Sequence, residues 1–196
     1  MRFKLIFLLF ATLLIFLISC DDSANGGENG KEGDYGVSFY DRGSLYCFTT
    51  VDEGGLSPEP AEPEWNGYDF VGWYYGNAAW NFSADTVGTD VTLTAKWRVN
   101  FKTLLPFYQA EGVWLSEDGE RLKIDTNPKD EIGVNKADIL AKIKNANEAL
   151  GLPDSLYQEM LYTLTADGVR TAEGAHVTVE WSNSPNTGLE VTYTRK

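Results

Sequence analysis

Of the side chains that could carry out chemistry, histidine is the scarcest: the 196-residue chain has one, His176, at the start of what reads as its last hairpin. Metal ligation and nucleophile–histidine–acid catalysis both need partners that converge on the ring, and a lone histidine at a strand edge is ordinarily a surface residue. No glycine-flanked nucleophile elbow, Walker loop, dinucleotide fingerprint or cysteine–histidine metal spacing occurs in the sequence. Carboxylates are the opposite case. With 29 Asp and Glu residues, pairs suited to acid–base work are so common that no single pair is informative. Asp125, Asn127, Asp130 and Glu131 follow one another like ligands of a calcium loop, but its fifth position is Lys129, its sixth is Asp130 instead of glycine, and its twelfth is Lys136 instead of glutamate. The expectation is therefore no catalytic residue, no metal and no cofactor. What is left is surface chemistry. Trp65, Tyr74 and Tyr75 are the candidate ligand-contact aromatics, because rings too numerous for a small module to bury can stack on a glycan or a peptide.

Cys20 is placed for a different reaction. Arg2 and Lys4 precede an almost unbroken apolar run over residues 5–18, closed by Ser19 and Cys20. Crossing about 30 Å of hydrocarbon takes roughly 20 apolar residues, so a shorter run with positive charge only upstream and small residues at its end reads as a signal peptide, residues 1–19, that is removed. Leu17, Ile18, Ser19 and Cys20 resemble the bacterial lipobox, in which the cysteine thiol is acylated before the peptidase cuts in front of it. The resemblance implies lipidation of Cys20 and attachment to a membrane through that lipid, in the cell envelope on its surface or periplasmic side. Residues 20–34, rich in Asp, Asn, Gly and Glu, read as a flexible tether whose root-mean-square span is roughly 20 Å. If lipid occupies Cys20, Cys47 is left alone, and its neighbours Tyr46 and Phe48 suit a buried, inert thiol.

The formal net charge is −13 at pH 7, and loss of Arg2 and Lys4 with the signal makes the mature chain more acidic still. Such a chain is repelled by phosphate, which excludes nucleic acid as a partner and anionic lipid as a docking surface.

Beyond the tether the pattern changes near Arg98, which divides a β-rich segment, residues 35–97, from a mixed one, residues 98–196. In the first, strands are expected over residues 37–40 and 45–51 about a turn at Asp41 to Gly43, and Val91, Leu93, Ala95 and Trp97 alternate with polar residues on a last strand. Pro58, Pro60 and Pro63 forbid regular ladders between them. The central run Gly67, Tyr68, Asp69, Phe70, Val71, Gly72, Trp73, Tyr74, then Trp80, Asn81 and Phe82, then Leu93 to Trp97, resembles the Listeria-Bacteroides repeat, the B-repeat module of internalin-type surface proteins. The resemblance covers about a third of the chain in one copy. It implies a small β-grasp-like fold at a cell surface and carries over no catalytic residue. On physical grounds Trp73, between Gly72 and Tyr74, is expected to be a packing residue.

In the second segment a hairpin is expected about Asp118 and Gly119, and a helix capped by Asn135 with Ile139, Ile143, Ala146 and Leu150 on its inner face. A further helix is expected over about residues 154–166, burying Leu156, Met160, Leu161 and Leu164. A closing hairpin should turn Val177, Val179, Trp181, Leu189, Val191 and Tyr193 inward. The fold class expected is α+β, a β-grasp-like module followed by helices on an antiparallel sheet. The function expected is that of a non-enzymatic surface lipoprotein whose C-terminal half binds a protein or glycan partner. The alternative is an enzyme, or an enzyme accessory, that acts on envelope polymers through carboxylates in that half.

Overall fold

A computed structural model describes residues 34–127 and 135–196. The signal peptide, nearly all of the tether, and Asp130 and Glu131 of the calcium-like run lie outside the described residues. Among the described residues strand is the commonest regular structure, the pairing is largely antiparallel, and two helices have nine or more residues, which is compatible with an α+β class.

The β-rich segment begins with β1 (Asp34–Asp41) and β2 (Ser44–Asp52), joined by a two-residue turn in which Arg42 and Gly43 both have positive φ, +48° and +81°. That conformation matches the right-handed twist of a hairpin. Asp41, almost fully buried, ties the turn down by pairing with Arg42 at 2.8 Å. Then come β3 (Gly55–Leu56), β4 (Tyr68–Tyr75), β5 (Ala78–Ala79), β6 (Thr86–Val87) and β7 (Val91–Val99). No strand forms between Leu56 and Tyr68, where the three prolines stand. The sheet order is β2-β1-β7-β4-β5, and β3 pairs separately with β6. β1 runs parallel to β7 over Val37↔Val91 to Tyr40↔Thr94, which sets the buried Val37 and Phe39 beside Val91 and Leu93.

The chain then forms α1 (Phe101–Leu104), β8 (Val113–Leu115), β9 (Arg121–Asp125), α2 (Lys136–Ala149), α3 (Asp154–Tyr162), a 3-10 turn at Thr165–Asp167, β10 (Arg170–Glu173), β11 (Val177–Ser184) and β12 (Gly188–Arg195). The second sheet is antiparallel throughout, in the order β10-β11-β12-β9-β8. Its inward residues, Leu122, Ile124, Val179, Trp181, Val191 and Tyr193, form one core with Ile139, Ile143 and Met160 of the helices. Asn135 caps α2 by accepting from the Ala137 amide at 3.0 Å.

The second helix departs from expectation. It stops at Tyr162, and Leu161 and Leu164 are exposed, whereas Leu156 and Met160 are buried as expected. The stop has a local cause. The Leu164 amide, which would continue the helical ladder, donates instead to Asp167 Oδ2 at 2.7 Å, and the carbonyl of Thr163 accepts from Asn183 Nδ2 at 3.0 Å. Side chains near a helix end compete with the backbone in this way.

Two compact units share the chain, and they interleave. One takes the described residues through Ala61 and then Trp73–Thr94, and the other takes Glu62–Gly72 and, among the described residues, the chain from Ala95 to Lys196. Residues 62–72 and 95–97 thus belong to the repeat-like segment by sequence and to the second unit by packing. Gly67 illustrates the packing. Its φ is +84°, its carbonyl accepts from the Asn100 amide at 2.9 Å, and a Cβ there would lie 2.5 Å from Leu104 Cδ1.

In the first unit Trp73 is 2 % exposed, edge-on to Phe39 at 5.0 Å and tilted against Tyr46 at 5.6 Å. Trp73→Ala is expected to cost about 3–5 kcal/mol, the range for deleting a buried large aromatic. Chemical denaturation of the variant checks this, and an unchanged midpoint would refute the packing role.

Candidate functional site

Of the residues singled out for chemistry, Cys20 lies outside the described residues. Cys47 is buried and disulfide-bonded, which corrects the expectation of a lone thiol; its bonding partner is not among the described residues. Trp65 and the two tyrosines fall in different units. Tyr75 is 55 % exposed with its ring 6.4 Å from Trp80, and Tyr74 is half-buried. Trp65 is half-buried, stacked on Tyr68 at 3.6 Å and edge-on to Trp97 at 5.7 Å. One face of its ring is therefore covered by the protein itself.

His176 joins the same cluster within the second unit, 5.4 Å from Trp65 and 4.9 Å from Tyr68 by ring centroids. The expected surface histidine is instead a packed one. Its residue-level signal was weak, because Val177 and Val179 announce the strand while nothing in the local sequence brings Trp65 and Tyr68 to its mouth. Burial, and then the charge of Lys196, hold the imidazole below its ordinary value of 6.5. Burial pushes the Tyr68 phenol up. Among the described residues no three of His, Cys, Asp and Glu gather as a metal site would need.

The second unit also carries a cleft of about 550 Å³. The end of α3 and the turn after it contribute Thr163, Leu164 and Thr165; the β11–β12 turn contributes Asn183, Ser184 and Pro185; Asn127 and Lys136 stand on the other side. Residues 128–134, which join those last two, lie outside the described residues. The cleft is built on buried polar groups. Thr163 Oγ1 accepts the indole N–H of Trp181 at 2.8 Å and donates to the Glu159 carbonyl at 2.8 Å, while Thr126 Oγ1 accepts from the Leu189 amide at 2.8 Å. These bonds fix the wall in one geometry, because leaving any such group unpaired costs about 1–3 kcal/mol. The lining offers hydrogen-bond donors and acceptors more than apolar surface. None of it was singled out from the sequence, where Thr, Asn and Ser in turns are commonplace.

The Gly67–Tyr74 run holds a positive-φ glycine at Gly67, the ring of Tyr68 stacked on Trp65, and a buried Trp73. Among models of known families, that of the Listeria-Bacteroides repeat domain matches residues 35–96. This segment is such a repeat. Two proteins of Evansella cellulosilytica are similar to the chain. One, named "Putative Gly-rich membrane protein", is 42 % identical over 71 residues, covering 34 % of this chain and 8 % of that protein. The other, named "Putative membrane protein", is 39 % identical over 74 residues, covering 36 % of this chain and 11 % of that protein. The chain thus spans only a small part of the length of these relatives, and the likeness is the size of a single module.

The histidine generates a prediction. Its pKa is lowered on folding, so as pH falls below about 6.5 the unfolded chain takes up the proton first and stability declines until the folded imidazole is also charged. His176→Phe keeps a ring in the cluster and removes the titration. Between pH 7 and pH 5 the wild type should lose melting temperature faster than the variant, and parallel profiles would contradict the packed, neutral imidazole.

Proposed function

We propose that this protein is a non-enzymatic lipoprotein of the bacterial cell envelope. Lipid on Cys20 attaches it to a membrane, residues 20–34 tether it, a single Listeria-Bacteroides repeat follows, and the C-terminal unit binds a protein or glycan partner. The observation that carries this reading is the family match at residues 35–96, preceded across a short polar segment by a signal-like run that ends in Leu17-Ile18-Ser19-Cys20. The relatives named as membrane proteins support a membrane setting. Among the described residues no helix is long and apolar enough to cross a membrane. A β-grasp-like repeat is supported by the sheet order, in which the first and last long strands pair in parallel at the centre. The alternative, chemistry on envelope polymers through paired carboxylates, has less support: the cleft on the C-terminal unit is lined by hydroxyls, amides and one ammonium group.

The chain has two cysteines, so a disulfide of Cys47 within one molecule would use Cys20, whose sulfur can carry an acylglyceryl thioether or one half of a disulfide and not both; the thioether is the state proposed for the mature protein. Mass spectrometry of the mature protein isolated without reductant therefore tests the anchor directly. Acyl mass on a peptide that begins at Cys20 is expected. Cys20→Ser should release the protein from membranes or leave its signal uncut. A mature N-terminus without acyl groups, or a variant both processed and membrane-bound, would refute the lipid anchor.

A further inference from the structure

We infer that the cleft of the C-terminal unit is a subsite for an uncharged glycan bearing acetamido groups, an inference that deepens the proposed binding role of that unit and rests on it. The chemistry of the lining selects the ligand. Asn183 and Asn127 both use their amide nitrogens inside the protein: Asn183 Nδ2 donates to the Thr163 carbonyl at 3.0 Å, and Asn127 Nδ2 to the Asn186 carbonyl at 2.6 Å. One N–H of each amide is thereby used and each side chain is held in one orientation, which leaves its Oδ1, an acceptor, and its second N–H for a ligand. Lys136, exposed at the first turn of α2, has no ion-pair partner among the described residues and supplies a strong donor to the same cleft. Leu164, 66 % exposed, and Pro185 add apolar surface beside these polar groups.

An acetamido group needs all three of these environments. Its carbonyl requires a donor, its N–H an acceptor, and its methyl an apolar neighbour. The sugar ring beside it presents hydroxyls that can exchange hydrogen bonds with Thr165 and with the two amide oxygens. A volume of about 550 Å³ falls in the range of roughly 300–1,000 Å³ typical of small-ligand sites. The net charge of −13 favours a neutral ligand over an acidic polymer, which the protein's field would repel. A peptide shares the amide chemistry but brings no ring hydroxyls for Thr165, so the glycan is the better match.

The test is titration of the mature protein with chitotriose, followed by NMR, with cellotriose and triglycine as comparators. Cellotriose has the same linked rings with hydroxyls in place of the acetamido groups. Chitotriose is expected to bind saturably and to shift the resonances of Lys136, Thr165 and Asn183, while cellotriose binds about tenfold more weakly, the loss expected for one hydrogen-bonded group. Lys136→Met and Leu164→Ser should each weaken chitotriose binding several-fold. In both variants the Trp181 indole N–H resonance should stay in place, because it reports the bond to Thr163 and hence an intact wall. Absence of saturable binding, equal binding of the two sugars, tighter binding of triglycine, or affinity indifferent to both substitutions would overturn the inference. None of those results touches the acylation of Cys20, which mass spectrometry reads separately. Conversion of chitotriose to shorter sugars would support the subsite and remove the non-catalytic reading instead.

Discussion

The hydroxyl of Thr163 governs the architecture of the C-terminal unit. It is buried, it accepts the indole proton of Trp181 from the sheet, and it returns its own proton to the Glu159 carbonyl of α3. A buried indole N–H without an acceptor is costly, so the end of the helix must stay where this oxygen can meet the sheet. From that one constraint the neighbouring features follow in order. The chain leaves the helix at Thr163 with extended geometry, Asn183 reaches over to its carbonyl, and Leu164 is turned outward onto the edge of the cleft.

Much of the fold was legible in the sequence wherever periodicity was strong. The alternation of Val177, Val179, Trp181 and of Leu189, Val191, Tyr193 is the inner face of the last hairpin, and the Asn135 cap and the spacing of Ile139, Ile143 and Ala146 are those of α2. Where periodicity was absent the elements were missed. β10, with the sequence Arg-Thr-Ala-Glu, has no apolar face to alternate, and α1 is one turn long, visible only through the side chain of Asn100 that accepts from the Lys102 and Thr103 amides. The end of α3 escapes the spacing for a different reason. Leu161 and Leu164 keep helical spacing, and the competing acceptor on Asp167 is a tertiary-scale detail that spacing does not carry.

The candidate sites divide along the same line. Signals that lie in consecutive residues, such as the lipobox-like run and the glycine–aromatic core of the repeat, could be read directly. The ring cluster could not, since Trp65, Trp97 and His176 are separated by long stretches of chain and only packing brings them together. The interleaving of the two units has a related origin. Gly67 and Tyr68 lie within the segment that matches the repeat, yet Asn100, just past that segment, donates its backbone amide to the Gly67 carbonyl and its Nδ2 to Asp69 at 2.9 Å. Membership in a sequence family and membership in a compact body are therefore different properties of the same residues.

The parallel ladder between β1 and β7 has a mechanical consequence. In an antiparallel hairpin pulled at its two ends, the bonds nearest the ends carry the load first and part in succession. β1 begins at Asp34, where the chain enters the repeat, and β7 points the same way and leads out toward Val99. Tension applied between those two points draws the strands past each other along their length. The four paired residues from Val37 to Tyr40 then bear the load together, in shear, with the side chains of Phe39 and Leu93 resisting the slide.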